Sequence, residues 1–392
     1  MNIAKTIGIA GCGIGGLALG AVLAARGVRV QIFDQFAAPS PVGSGLVVQP
    51  VGLQVLSALG VAEAALAKGA RISHMFGDES GSGKVALDVS YGTRFGLAIH
   101  RASLFDVLLT IALKNGCELV PSTKITAQEG AYFISENGQR LGPFEALIDA
   151  SGASSVLSPL RAKSLKYGAL WASVNWPEST SLPQTRLTQR YGKASRMAGV
   201  LPIGSLPGET TQKAAVFWSL RAADFAEWQA RGVAAWQAEA CAFWPEFEPF
   251  ISGITRADAL TMARYKHGTL GHKTAGNIAF IGDAAHCASP QLGQGANMAL
   301  LDAFALGTAL LSRPVPQAFN AYERARGRHV LAYQMMSRVL TPLYQSDSTV
   351  LPWLRNHILA PLSPHWPFAK VLTKVGAGDI IRPVRGLALG PL

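Results

Sequence analysis

The chain has 392 residues, 49% hydrophobic and 15% charged, which excludes a disordered protein and predicts a large packed core with more than one domain. The net charge is +11, yet no lysine-rich arm or aromatic RNA-binding signature accompanies it, so no nucleic-acid partner is expected. Cys12, Cys117, Cys241 and Cys287 are scattered without CxxC or His-x-x-His spacing, so neither a disulfide framework nor a metal site is expected and a reducing cytoplasm is the default.

In chain order, residues 1–20 are apolar but studded with glycine and lack a basic start, and they predict a strand and a turn rather than a signal peptide. The strand around Thr6–Ala10 runs into Gly11-Cys12-Gly13-Ile14-Gly15-Gly16, a GxGxxG turn, followed by a helix through Ala24 and a strand at 28–33 ending in Asp34 and Gln35. That is a βαβ dinucleotide unit. Gly11 permits the tight turn, Gly13 the approach of a pyrophosphate and Gly16 close helix–strand packing, while Asp34 can accept bonds from ribose hydroxyls. The residues from Gly43 through Gly45 to Pro50 predict a loop and strand, and one helix carrying Leu53, Val55, Leu56, Leu59, Val61 and Leu66 follows.

Gly81-Ser82-Gly83-Lys84 resembles a phosphate loop only superficially, since Asp78 and Val85 break its pattern, and it predicts a hairpin turn. A helix opens at His100-Arg101, and a strand at 147–149 enters the small-residue turn Ser151-Gly152-Ala153-Ser154-Ser155. Between 167 and 220, four strands separated by Pro and Gly predict a mainly antiparallel sheet. Trp171, Tyr191 and Trp218 would suit a flat apolar substrate, with core packing as the bland alternative, and Arg190 and Arg196 would suit an acidic group, with surface exposure as theirs. Residues 222–243, 315–340 and 351–375 predict helices, the last broken by Pro361, Pro364 and Pro367. Seven bases there, among them Arg326 and Arg355, predict a solvated face, with a peripheral membrane contact or a dimer as other uses. No uninterrupted apolar run of about 18 residues occurs, so no membrane span is predicted.

The densest signal comes late. Gly282-Asp283-Ala284-Ala285-His286 follows an apolar strand, and Pro290, Gly293, Gln294, Gly295, Ala296 and Asn297 lead into an apolar helix. Glycine allows close backbone approach to a ligand, and the helix start offers unpaired N–H groups. This stretch resembles the second FAD motif of flavin-dependent aromatic hydroxylases of the p-hydroxybenzoate hydroxylase type. The resemblance implies that Asp283 binds the ribityl chain, that Pro290 to Asn297 runs beside the isoalloxazine ring, that Gly45 lies under it and that Arg101 reaches the pyrophosphate.

The third motif is altered. Ser151 stands where the family has aspartate and Ser158 where it has arginine, with Asp149 and Arg161 nearby but out of register. The resemblance implies an α/β fold: a Rossmann-like FAD domain from 1–75, 101–165 and 263–312, a sheet insertion at 76–100, a mainly antiparallel substrate domain at 166–262 and C-terminal helices at 313–392. It further implies a single-component monooxygenase, monomeric or homodimeric. NAD(P)H would reduce FAD transiently, and O2 would add at flavin C4a to give the hydroperoxide that hydroxylates an aromatic or enolic small molecule. The altered third motif leaves open an oxidase, a reductase or a redox-neutral flavoenzyme, and a FAD-holding scaffold is the third reading. His267 and His286 are histidines to consider as a general base, although a histidine within Gly282–His286 fits better as a brace of the turn.

Overall fold

The computed structural model describes residues 5–38 and 44–386, so Gly43 lies outside the described residues. Its first sheet has six strands in the order Thr274–Ala275, Ile278–Phe280, Ala146–Asp149, Thr6–Ala10, Arg29–Phe33 and Glu118–Val120. All pairings are parallel except that of the outer Thr274–Ala275 strand. The inner strands are apolar runs because both faces are covered. Helices Ile14–Ala24, Arg101–Lys114 and Gly295–Ser312 supply one covering, and a three-stranded meander supplies the other through Phe133 and its neighbour Phe144, against Phe33 and Phe280.

The second sheet has eight strands in the order His286–Cys287, Thr261–Thr269, Lys163–Asn175, Lys213–Arg221, Arg196–Gly204, Arg186–Gly192, His74–Glu79 and Val85–Ser90. It is mixed rather than purely antiparallel, because Arg186–Gly192 pairs in parallel with His74–Glu79. The expected insertion at 76–100 divides: the hairpin turning at Gly81–Lys84 joins this sheet, while Gly96–His100 pairs with Gly45–Val48 and Ala70–Ile72. Side-chain alternation sends Leu170, Val216 and Trp218 under helix Phe225–Phe243, and Trp171 and Phe217 to the opposite face.

Two helix expectations change. The helix expected across 53–66 is two, Pro50–Ala58 and Ala62–Lys68, because Gly60 takes φ +72° and stops the first. The long helix runs from Val315 to Tyr344, and the following segment is helical in pieces, Val350–Leu354, Arg355–Leu359, Ala360–Leu362 and Phe368–Ala377.

Candidate functional site

The early turn is built by steric fit. Gly11 sits at φ +105°, and a Cβ there would stand 2.5 Å from the Ala150 carbonyl oxygen. A Cβ on Gly16 would stand 2.0 Å from the Gly11 carbonyl oxygen. Gly13 differs, for nothing lies within 4 Å of its Cβ direction. It is exposed and begins helix Ile14–Ala24, which has no side-chain cap and no acid in its first turn. A bare helix start facing open space is an anion site by construction. Gly15 is turned the other way, 3.6 Å from the Ala299 Cβ, so only its N–H remains to offer a ligand.

Asp34 braces the same turn. Its carboxylate accepts the Cys12 N–H at 2.8 Å and the Phe36 N–H at 3.0 Å. Gln35 is exposed and lines a shallow polar recess of about 450 Å³ with Phe36, Ser122, Lys124 and Glu136.

The late turn arrives beside the early one. Gly282 takes φ +59°, with Ala299 3.3 Å from its Cβ direction, so early helix, Gly282 turn and late helix meet at Ala299. Helix Gly295–Ser312 also begins without a side-chain cap, and Gly295 faces open space. Asp283 opens onto the cleft but is walled in on its other sides. That desolvation raises its pKa, against the pull of His286 and Arg101. Arg101, exposed at its helix start, donates its backbone N–H to the Ser44 carbonyl at 2.9 Å, and its guanidinium has no carboxylate partner among the described residues.

Polar side chains hold the late turn in shape. Asn297 is fully buried and donates to the Val47 and Gly293 carbonyls at 3.1 and 3.0 Å while accepting the Gln49 N–H at 2.8 Å. The Asn297 amide thus fastens the turn to strand Gly45–Val48, and what the expected cofactor contact leaves to this residue is its backbone at the helix start. At Gly45 the Cβ direction meets Ile203 at 2.2 Å, so glycine there serves the packing of that strand on the large sheet. Gln49 is buried, accepts the Tyr91 hydroxyl at 2.6 Å, and leaves its Nε2 without a partner 3.0 Å from the Cβ direction of Gly293.

Two assemblies were invisible in the sequence. In the first, Asp302 accepts the Gly282 N–H at 3.0 Å and Arg326 Nε at 2.7 Å, and lies 2.6 Å from His286 Nε2. Burial would raise the Asp302 carboxyl, but His286 and Arg326 hold it well below the usual carboxylate range. Arg326 also donates to His329 Nδ1 at 3.0 Å and to the Pro383 carbonyl, and His329 donates Nε2–H to the Gly378 carbonyl at 2.8 Å. The expectation of a solvated face is thus wrong for Arg326, 0% exposed, and for Arg355, 1% exposed. Arg355 donates to Glu79 at 2.7 Å and lies over the rings of Tyr191 and Tyr344. The helical spacing of these bases resembled a solvent-facing row, but each met its partner across the fold.

The second assembly is a hydroxyl chain. His267 Nε2 lies 3.0 Å from Ser337 Oγ, which lies 3.3 Å from Ser289 Oγ, which lies 2.5 Å from Thr341 Oγ1. Thr341 donates to the Ser337 carbonyl at 2.6 Å. Its proton committed there, Thr341 must accept from Ser289, Ser289 from Ser337, and Ser337 from His267. The chain ends on a carbonyl, so it latches the residue before Pro290 and carries no proton to the cleft. Burial also lowers the His267 pKa, as does Arg338, which suits a neutral Nε2–H ring.

The altered third motif is rebuilt from serines. Asp149 accepts Ser151 Oγ and Ser155 Oγ, both at 2.5 Å, and Ser158 donates to the Ala284 carbonyl at 2.6 Å. Gly152 turns at φ +85° with open space before it.

The pleat separates the four aromatic and basic residues expected to meet substrate. Trp171 and Tyr191 share the face that carries Phe217, Leu187 and Tyr265. Trp218 and Arg190 lie on the other: Trp218 is buried with Trp228 and Trp236, and Arg190 pairs with Asp78 at 2.8 Å over the Trp244 ring. Both are engaged in packing and pairing on that face. Tyr191 is sealed by Tyr344 and Arg355, which leaves Trp171 half-exposed. Its indole N–H donates to the Tyr265 hydroxyl at 2.9 Å, leaving the Tyr265 proton free for another acceptor. Arg196, paired with Glu239 at 2.7 Å over Trp218, is also on the far face.

The residues present fit a dinucleotide: two bare helix starts side by side, a carboxylate near each, an unpaired arginine and an orphaned buried amide. A family described as "FAD binding domain" matches residues 4–203 and 252–336. The chain is 26% identical to 3-hydroxybenzoate 6-hydroxylase of Polaromonas naphthalenivorans (strain CJ2), over 86% of this chain and 88% of that one. It is 26% identical to the aurachin C monooxygenase/isomerase of Stigmatella aurantiaca, over 93% and 96%. In fold it is similar to the crystal structure of Klebsiella pneumoniae HpxO complexed with FAD and uric acid, with a TM-score of 0.79 at 17% identity, covering 96% and 99%.

Proposed function

The chain belongs to the family that shares this FAD-binding domain and is an FAD-dependent monooxygenase of the aromatic-hydroxylase type, and from that premise we propose that it hydroxylates a neutral, apolar aromatic or enolic molecule. NAD(P)H serves as transient reductant and O2 as oxidant, in a reducing cytoplasm that suits four free cysteines. Bound FAD supplies the redox chemistry and the activation of oxygen.

The chain's own residues do the rest. Residues 1–75, 101–165 and 263–312 hold the cofactor, with the early helix start and Arg101 on its phosphates, Asp34 and Asp283 on its hydroxyls, and the latched Pro290 turn beside its ring. Residues 166–262 supply most of the cover that keeps water out. The substrate class rests on one observation: the sheet face bearing Trp171 is lined by Leu187, Met197, Phe217 and Tyr265, while Arg190 and Arg196 pair with acids on the far face. A benzoate-like carboxylate would find no unpaired cation on that inner face among the described residues. Tyr265, held by Trp171, is the donor that orients a ring oxygen.

The test is NAD(P)H oxidation and oxygen uptake by the purified yellow protein across matched pairs of apolar phenols or enols and their carboxylated analogues. Neutral ligands should stimulate both rates and yield hydroxylated product carrying an atom from labelled O2. Stimulation by the carboxylates alone overturns the substrate class, and absence of flavin reduction with every ligand overturns the reductant.

A further inference from the structure

Sixteen large apolar side chains stand exposed among the described residues, and twelve of them lie between Leu331 and Ile381. On helix Val315–Tyr344 the outward residues Arg324, Arg328, Leu331, Met335 and Val339 follow one another at helical spacing, so the face expected to be polar carries an apolar stripe continued by bases. Trp353, Ile358 and Leu359 extend it into the next segment. Tyr333 of helix Val315–Tyr344 donates to the Val375 carbonyl at 3.1 Å, which sets helix Phe368–Ala377 beside it with Trp366, 81% exposed, and Phe368 and Val371 open to solvent. A monomer rarely leaves so concentrated an apolar surface uncovered.

The charges beside it choose the occupant. Arg324, Arg328, Arg338, Lys370, Lys374, Arg382 and Arg385 are exposed, and none has an acidic partner among the described residues. Every acid of the segment is engaged: Glu323 accepts the Lys273 N–H, Asp347 pairs with Lys166 and Arg221, and Asp379 pairs with Arg94. A second copy placed on this face by a two-fold axis would set bases against bases. An anionic bilayer meets both features, with tryptophan at the headgroup level and Lys/Arg on the lipid charge. The one described helix long and apolar enough to cross a membrane, Gly295–Ser312, is 67% buried in the core, so the contact is adhesion and not insertion.

We propose that the surface formed by Leu331–Val339 and Trp353–Lys374 docks this protein on an anionic membrane. The inner side of the same helix carries Ser337 and Thr341 of the latch beside Pro290, so the docked face backs onto the wall of the site. A reservoir of apolar substrate would then lie close to that wall. This last point rests on the proposed substrate class, whereas docking does not.

The experiment is co-sedimentation of the FAD-loaded protein, without substrate, with vesicles of phosphatidylcholine alone or mixed with phosphatidylglycerol. Binding to the mixed vesicles should be at least about tenfold tighter and should fall in high salt. Lys370→Gln with Lys374→Gln should weaken it by about fivefold per charge. Trp366→Ala with Phe368→Ala should also weaken binding to mixed vesicles about tenfold or more, with flavin content and melting temperature unchanged. Equal binding to the two vesicle types, binding to neither, or a wild-type dimer that Trp366→Ala dissociates would overturn the proposal. Turnover is not measured, so a wrong substrate class leaves this result intact.

Discussion

The two turns that meet at Ala299 are shaped by different forces. The early turn is backbone against backbone: Gly11 and Gly16 are glycine because no Cβ fits, and Asp34, at the end of the next strand, adds its side-chain brace. The late turn is held by polar side chains: Asn297 ties it to strand Gly45–Val48, Asp302 ties it to Arg326, and Ser337 and Thr341 latch it from the long helix. One is a local steric solution. The other is a polar scaffold that exists only when the C-terminal helices are in place.

The contrast breaks most visibly at Arg326. Arg326→Ala leaves Asp302 buried without its guanidinium and should cost about 3–5 kcal/mol, seen as a large drop in denaturation midpoint together with loss of flavin. A milder loss than that of an exposed ion pair would show that the late turn does not depend on the hub. Gly13→Val tests the early turn in the opposite sense. Its Cβ has open space and its φ is −91°, so the apoprotein should lose no more than the cost of a poorer N-cap, about 1 kcal/mol, while retaining no flavin. A yellow variant would place the phosphates elsewhere.

Asn297→Ala removes three bonds and should cost about 2–3 kcal/mol, with flavin released more easily at a fixed temperature. Ser337→Ala cuts the latch at its middle and should cost about 1 kcal/mol; a change in the pH profile of hydroxylation would instead reveal a proton path there.

The finest effect is in pH. His329 is held neutral, its pKa lowered to about 3 by burial and then by Arg326, whereas the unfolded chain protonates near 6.5. Between those values the unfolded state binds the extra proton. Stability from this residue is therefore present above about 6.5 and declines on acidification, by at most about 1.4 kcal/mol per pH unit. His329→Gln should flatten that slope in melting curves taken across this range.

What the sequence disclosed follows the same division. GxGxxG, Asp34 and the Gly282–Asn297 spacing were legible because the physics of a tight turn is local. Asp302 and Arg326 were not, since a lone acid in an apolar helix and one arginine in a row of bases have no local signature, and their pairing is set by how two helices cross. The substrate face was half legible. Alternation along one strand says that Arg190 and Tyr191 must part, but only the packing of helix Phe225–Phe243 decides which of them turns away from the cleft. Ser158 bonding to Ala284 shows how an altered motif can keep its geometry with other chemistry.

The carbonyls of Gly378 and Pro383 complete the hub around Arg326 and His329, and that hub shapes the turn at Gly282. During synthesis the ribosome must therefore release the chain through Pro383 before a finished pocket exists. The nascent chain can pair its early strands and helices well before then, but loading of the yellow nucleotide waits for the segment from Gly378 to Pro383. Nonsense or frameshift lesions even a few residues upstream of Gly378 should yield colourless protein.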